Sequence, residues 1–340
     1  MIDRDERTVV GESRNTLKSL EICAGAGGQA LGLERAGFEH VMLIENDRDA
    51  CNTLRLNRPS WDVVEIDLRE FDSTTEPHLT GIDLVAGGVP CTPYSIAGHQ
   101  RGNQDPRDLL PVALDIVEKL QPRAVMIENV AQLLRSNKFA LTREATEKRL
   151  LSLGYHTTWN LLNARDYGVP QHRERTVLVA LTFEDFPLFE WPSPEASPPT
   201  VGDVLLPSMS SKGWRGAVQW AARANSVAPT VVGGSKIHGG PDLGPDRAKT
   251  AWSRLGVNGN SLANDVPESD FVLQEGLGRK GRYGLPKLTI EQVALVQGFP
   301  PDWIFTGKKT PRYKQVGNAF PPPVAEAVGR AIAAALTQDP

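Results

Sequence analysis

The first 17 positions are polar and charged with no apolar period, and predict a loose N-terminal arm over residues 1–17. Apolar runs then alternate with stretches of helical spacing. Residues 19–23 read as a strand that enters the glycine turn Ala24-Gly25-Ala26-Gly27-Gly28, and residues 29–37 follow with helical spacing and a closing glycine. Short apolar runs at 41–45, 63–67 and 82–86 predict further strands, and 109–120 predicts a helix. Another strand is expected over 123–130, a helix over 139–153, and strands over 156–162 and 176–181. This alternation predicts βαβ units in a doubly wound, mostly parallel, Rossmann-like α/β sheet.

The pattern changes after residue 183. Residues 184–286 are rich in Pro, Gly, Ser and Asn, with scattered Trp and short strand-like pieces, which predicts a second, smaller, irregular domain of mostly β and loop structure. Order returns at 288–298, and an Ala-rich amphipathic helix is expected over 324–336 behind Pro321-Pro322-Pro323. The expected division is one domain of residues 18–183 plus 311–340, and a second of residues 184–310.

Composition narrows the class. Across 340 residues, 40% hydrophobic and 23% charged positions are ordinary globular values. The three cysteines, Cys23, Cys51 and Cys91, form no Cys-x-x-Cys pair, which argues against a disulfide framework or zinc site and for a reducing compartment. No apolar run approaches the ~18 residues of a membrane span, and the polar N-terminus lacks a signal stretch, so a cytoplasmic protein without membrane contact is expected. A net charge of −4 leaves any nucleic-acid contact to local clusters of Lys and Arg.

Chemistry gathers at the carboxyl ends of the expected strands. The strand, glycine turn and helix around Gly25, Gly27 and Gly28 form a cradle for a nucleotide-like ligand, and Glu45, 20 positions after Gly25, can bind the hydroxyls of a ribose. Asp67 places a second carboxylate at the same edge. These features alone leave a dinucleotide and S-adenosylmethionine equally open. Cys91 stands directly after the strand at 82–86, in Gly87-Gly88-Val89-Pro90-Cys91-Thr92-Pro93, where prolines stiffen a loop that a merely buried thiol does not need. Glu128 ends the next strand, and Arg173 and Arg175 lie two apart on a strand-like segment, hence on one face.

Five strings in this order resemble the DNA (cytosine-5-)-methyltransferase family, bacterial type: Cys23-Ala24-Gly25-Ala26-Gly27-Gly28, Val89-Pro90-Cys91, Glu128-Asn129-Val130, Gln171-His172-Arg173-Glu174-Arg175 and Gly317-Asn318-Ala319. The resemblance implies S-adenosyl-L-methionine as methyl donor, S-adenosyl-L-homocysteine as product, and no metal. It implies that Cys91 adds to carbon 6 of a cytosine, that Glu128 pairs with the ring nitrogen and amino group, and that Arg173, Arg175 or both hold the carbonyl oxygen. Gln171 is expected to hold its loop. The implied donor site comprises Cys23, Ala24, Gly25, Gly27 and Gly28, then Glu45 and Asn46 at the ribose. Asp67 and Leu68 follow near the adenine, with Pro90, Asn318 and Ala319 completing the pocket. Cys23 replaces a frequent aromatic ring, so less stacking on the adenine is expected.

Such an enzyme must extrude its target base from duplex DNA, and the loop at 95–108 is expected to close over it. Ser95 and Arg107 are its expected DNA contacts. The irregular domain corresponds in position to a target-recognition domain. Within it, Lys236, His238 and Arg247 are expected base readers, and Arg279, Lys280 and Arg282 expected phosphate binders. The expected state is a monomer, in either a restriction-modification system, its cognate restriction endonuclease acting separately, or an orphan methylation system. A transfer-RNA cytosine methyltransferase on the same scaffold and a catalytically dead regulatory homologue are the alternatives.

Overall fold

The strand β1 (Leu17–Ile22) is buried from Ser19 onward, and it lies in the interior of the sheet on which everything else is laid. The computed structural model describes residues 16–90, 108–194, 197–233, 241–274 and 284–338. Residues 1–15 of the expected arm lie outside the described residues, and Leu17 already belongs to β1. The helix α1 (Gly28–Arg35) leads to β2 (Phe38–Glu45), and α2 (Arg48–Asn57) to the short β3 (Val63–Glu65). The strand β4 (Leu84–Gly87), helix α3 (Leu110–Leu120) and strand β5 (Ala124–Val130) come next. A single turn, α4 (Gln132–Arg135), precedes α5 (Ala140–Ser152), β6 (Tyr155–Asn163) and β7 (Glu174–Thr182).

The seven strands lie in the order β3-β2-β1-β4-β5-β7-β6. Only β7 runs against its neighbours, β5 and β6. Both faces are covered, as a parallel sheet requires. Alternation along β4 serves the two faces in turn: Val85 joins a cluster with Ile116 and Val117 of α3, while Leu84 and Ala86 join one with Val324, Val328 and Ile332. The order reverses between β1 and β4, so a crevice opens beyond their carboxyl ends.

Between residues 184 and 310 the expected strand-like pieces are absent from the described residues, which form helices and loops instead: α6 (Val201–Ser210), α7 (Ala217–Arg223), α8 (Asp246–Arg254) and α9 (Ile290–Val296). Capping boxes at Thr200 with Asp203 and at Thr289 with Gln292 start α6 and α9. Pro207 inside α6 hid its apolar stripe of Val201, Leu205 and Met209 from a reading by pattern. One apolar cluster runs without a break from these helices to Ala26, Ala30 and Leu31 of the glycine turn and α1.

The chain then returns through α10 (Lys309–Asn318) and α11 (Pro322–Thr337), and α11 lies against α1. The approach is close: a Cβ on Gly32 would stand 2.4 Å from the Pro322 carbonyl oxygen. Among the described residues, no helix is long and apolar enough to cross a membrane.

Gly317 near the end of α10 lies directly on Gly233, and a Cβ there would meet the Gly233 Cα and N at 2.5 Å. Alanine gains about 1 kcal/mol in helix propensity over glycine, but overpacking against backbone costs roughly 1–3 kcal/mol. We expect Gly317→Ala to be net destabilising in chemical denaturation. An unchanged or raised midpoint would show that the two segments yield freely.

Candidate active site

The glycine turn is built by its neighbours. Gly27 caps α1 with φ +85°, and a Cβ there would meet Leu54 at 2.7 Å and the Trp303 ring at 2.9 Å, so only glycine fits both the angle and the space. The Trp303 indole N–H donates to the Ala26 carbonyl at 3.2 Å and pins the turn from the far side. Glu45 closes it from the front: its Oε2 accepts from the Gly25 amide at 2.7 Å, and its Oε1 from the amides of Asn46 and Asp47 at 2.9 and 2.8 Å. One carboxylate thus joins the end of β2 to the turn after β1.

Together they frame a cavity of about 450 Å3 at the carboxyl ends of β1, β2, β4 and β5. That is within the range of a small-molecule site. Of the residues expected to bind a donor, Cys23, Ala24, Gly25, Gly28, Glu45, Asn46, Leu68, Pro90, Asn318 and Ala319 line it. Gly27 shapes it from behind. Ile66, Leu68, Val89 and Leu109 give it apolar walls suited to a flat ring, and Glu45 faces it with a carboxylate able to accept from sugar hydroxyls.

Asp67 departs from expectation. It does not line the cavity; its carboxylate is clamped by the Arg69 guanidinium at 2.6 and 2.9 Å, which holds its pKa down at about 2. It lies just past β3, and the side chains that reach the cavity there are Ile66 and Leu68.

The two arginines also part company. Arg175, in β7, pairs with Glu128, in β5, through an Nε to Oε1 contact of 2.8 Å, and both line the cavity. Burial drives the Glu128 carboxyl above the usual range, while the charges of Arg175 and Arg173 pull against that rise. The result is an oriented acid that takes a proton more readily than an exposed one. Arg173 is only 1% exposed and does not line the cavity. Its guanidinium donates to the carbonyls of Val231 at 2.7 Å, Gly317 at 3.0 Å and Ala319 at 2.9 Å. It holds the string that carries Asn318, so its expected place on a bound base is corrected to a structural one.

Gln171, expected to hold its loop, accepts from the Val231 amide at 2.9 Å and donates to the Gln297 side chain at 2.6 Å. Gln297 in turn donates to the Val316 carbonyl at 2.7 Å. Glu21, Lys314 and Gln315, which are not among the expected site residues, also line the cavity. The signal for Glu21 was a carboxylate in the middle of a buried apolar run; for the other two, their place three and four positions before Asn318 on one helix.

Cys91, with Ser95 and Arg107 of the expected mobile loop, lies outside the described residues, as do Lys236, His238, Arg279, Lys280 and Arg282. Arg247 is described, and is exposed in the first turn of α8. The other two thiols are poor nucleophiles. Burial, with the charges of Glu45, Glu21 and Asp67, pushes the Cys23 thiol far up, and burial with Glu45 pushes Cys51 to about 12. Both stay protonated at neutral pH. The loop toward Cys91 is tied at its start by the Asn129 amide, which donates to the Val89 carbonyl at 3.4 Å.

Comparison with known proteins agrees with this geometry. Residues 17–334 match the model of the C-5 cytosine-specific DNA methylases. The chain is 50% identical over 325 residues to the type II methyltransferase M.NaeI of Lentzea aerocolonigenes, spanning 95% of this chain and 76% of that one. It is 48% identical to M.NgoMIV of Neisseria gonorrhoeae, spanning 94% and 98%. Among solved structures it resembles a prophage-encoded DNA modification methyltransferase of E. coli with a TM-score of 0.64 at 21% identity, over 95% of this chain and 100% of that one.

Burial raises the Glu21 carboxyl to about 8 in the native protein, with Gln29 beside it opposing the rise. Between its ordinary value near 4.5 and about 8, the unfolded chain has released this proton and the native protein still holds it. Stability attached to the proton is therefore complete below about 4.5 and drains away as pH rises to about 8. Glu21→Gln, which cannot ionise, should match the wild type near pH 5 and melt progressively higher than it toward pH 8. A melting difference that ignores pH would show Glu21 ionised throughout.

Proposed function

We propose that this chain, which belongs to the C-5 cytosine-specific DNA methylase family, uses Cys91 and Glu128 to methylate carbon 5 of a cytosine turned out of duplex DNA. It is a DNA cytosine-5-methyltransferase, and its relatives at 50% and 48% identity are type II methyltransferases. Neither the transfer-RNA reading nor the dead homologue is favoured. The observation that carries the assignment of roles is the pair of buried Glu128 and half-buried Arg175, set at the cavity wall beside Gly88, Val89 and Pro90, immediately before Cys91.

Carbon 5 of cytosine is a weak nucleophile. In the proposed reaction the Cys91 thiolate forms a bond to carbon 6, and the displaced electron pair moves toward ring nitrogen 3. A proton shared from Glu128 neutralises it there. The raised pKa of Glu128 favours this task, and Arg175 fixes the carboxyl and offers further N–H groups to the neighbouring carbonyl oxygen. Glu45, Cys23 and Asn318 would hold S-adenosyl-L-methionine, which would supply an electrophilic methyl group for bonding to carbon 5, the electrons of the broken carbon–sulfur bond leaving with S-adenosyl-L-homocysteine. Loss of the carbon 5 proton to solvent, expulsion of the thiolate and return of the shared proton from ring nitrogen 3 to Glu128 restore the aromatic ring. The cavity's apolar walls and acidic lining support this donor.

We assign sequence choice to residues 184–310, with exposed Arg247 among the candidate readers, and propose a restriction-modification or orphan methylation system, any cognate endonuclease acting separately.

Bisulfite sequencing of DNA from a host expressing the protein should show cytosine methylation at one short recurring sequence. A duplex carrying 5-fluorocytosine at that site should trap the protein covalently through Cys91, and Cys91→Ala should abolish both trapping and turnover while still binding donor. Glu128→Gln should lower kcat roughly 100-fold or more, with little change in donor affinity. An adduct mapped to Cys23 or Cys51, or a Gln variant with unchanged turnover, would reassign the site.

A further inference from the structure

We propose that Lys314 recognises the carboxylate of the donor's amino-acid portion, and so makes the site selective for S-adenosylmethionine and S-adenosylhomocysteine over adenosyl compounds lacking that group. This rests on the donor reading above. Lys314 and Asn318 lie four apart on α10 and both line the cavity, so they share the face that looks into it.

The charge pattern of the lining motivates the assignment. Glu21, Glu45, Asp47 and Glu128 are its acids, whereas its cationic side chains among the described residues are Arg175 and Lys314. Arg175 is engaged by Glu128. The donor carries a sulfonium, an ammonium and a carboxylate. Acids suit the first two, and the third needs a cation that is not already engaged.

Lys314 answers that need. Its ammonium is 3.9 Å from the Asp47 carboxylate, beyond hydrogen-bond reach, and that contact involves Oδ2, while Oδ1 caps α2 through the amides of Asp49 and Ala50. The Lys314 side chain is 52% exposed, so it can turn inward without breaking a buried contact. The start of α1, where Gly28 and Gln29 line the wall, borders the same cavity. A carboxylate between that helix start and Lys314 completes the complement of charges.

Titration calorimetry with two probes tests this: S-adenosylhomocysteine and its decarboxylated amine analogue. The wild type should prefer the first. Lys314→Met should narrow that preference about tenfold, by weakening S-adenosylhomocysteine binding and leaving the analogue nearly unchanged. Lys314→Arg should keep most of the preference. Raising salt should shrink the wild-type preference more than that of the Met variant. Equal loss for both probes, or no loss for either, would overturn the role of Lys314. Failure of the wild type to bind S-adenosylhomocysteine at all would instead overturn the reading of the cavity.

Discussion

A single buried guanidinium organises the closure of this protein. Arg173 cannot lose its charge, and moving such a group out of water costs roughly several kcal/mol unless its N–H groups find acceptors. The acceptors are carbonyls of Val231, Gly317 and Ala319, from two segments far apart in the chain. Beside it, the relay from Val231 through Gln171 and Gln297 to Val316 joins the same segments by neutral amides. Because these ties end on the backbone, they constrain the path of the chain and leave surface side chains open to change. They also place the wall that bears Lys314, Asn318 and Ala319.

Of the four carboxyl groups lining the cavity, the three glutamates are managed in three ways. Glu45 is saturated by backbone amides, Glu128 is opposed by an arginine, and Glu21 is left to hold its proton. Each solution carries a different readiness to exchange charge. Glu45 is a fixed anion that also serves as a girder, Glu128 an acid held in balance, and Glu21 a group that keeps its proton until the pH nears 8.

The sheet was largely legible because strands buried on both faces are written as short apolar runs, and because turns and helix ends carry their own glycine signals. The carboxyl-edge residues were legible for the same reason: Glu45 and Glu128 each close such a run. Failures arose where local order ended. Arg173 lies just before β7, so the alternation that puts residues two apart on one face did not bind it to Arg175. Asp67 lies past a strand of only three residues, where Arg69 captured its carboxylate. The helices between 184 and 310 were hidden by proline and glycine, and their stability comes from a shared apolar cluster that no single stretch displays. Lys314 and Glu21 left local signals, but that both face one cavity became visible only once distant segments met.

The contact between α1 and α11 has a temporal meaning. The glycine turn and α1 are synthesised near the beginning of the chain, yet their apolar face stays uncovered until α11, some 290 residues later, has emerged. Over that interval the nascent chain carries half a cradle and an exposed seam, a situation that slows folding when long-range contacts dominate. The donor cavity is therefore among the last parts to be completed. Methylating competence arrives only after α10 and α11 have emerged, and a copy truncated before them, however well its sheet forms, lacks the wall that bears Lys314, Asn318 and Ala319.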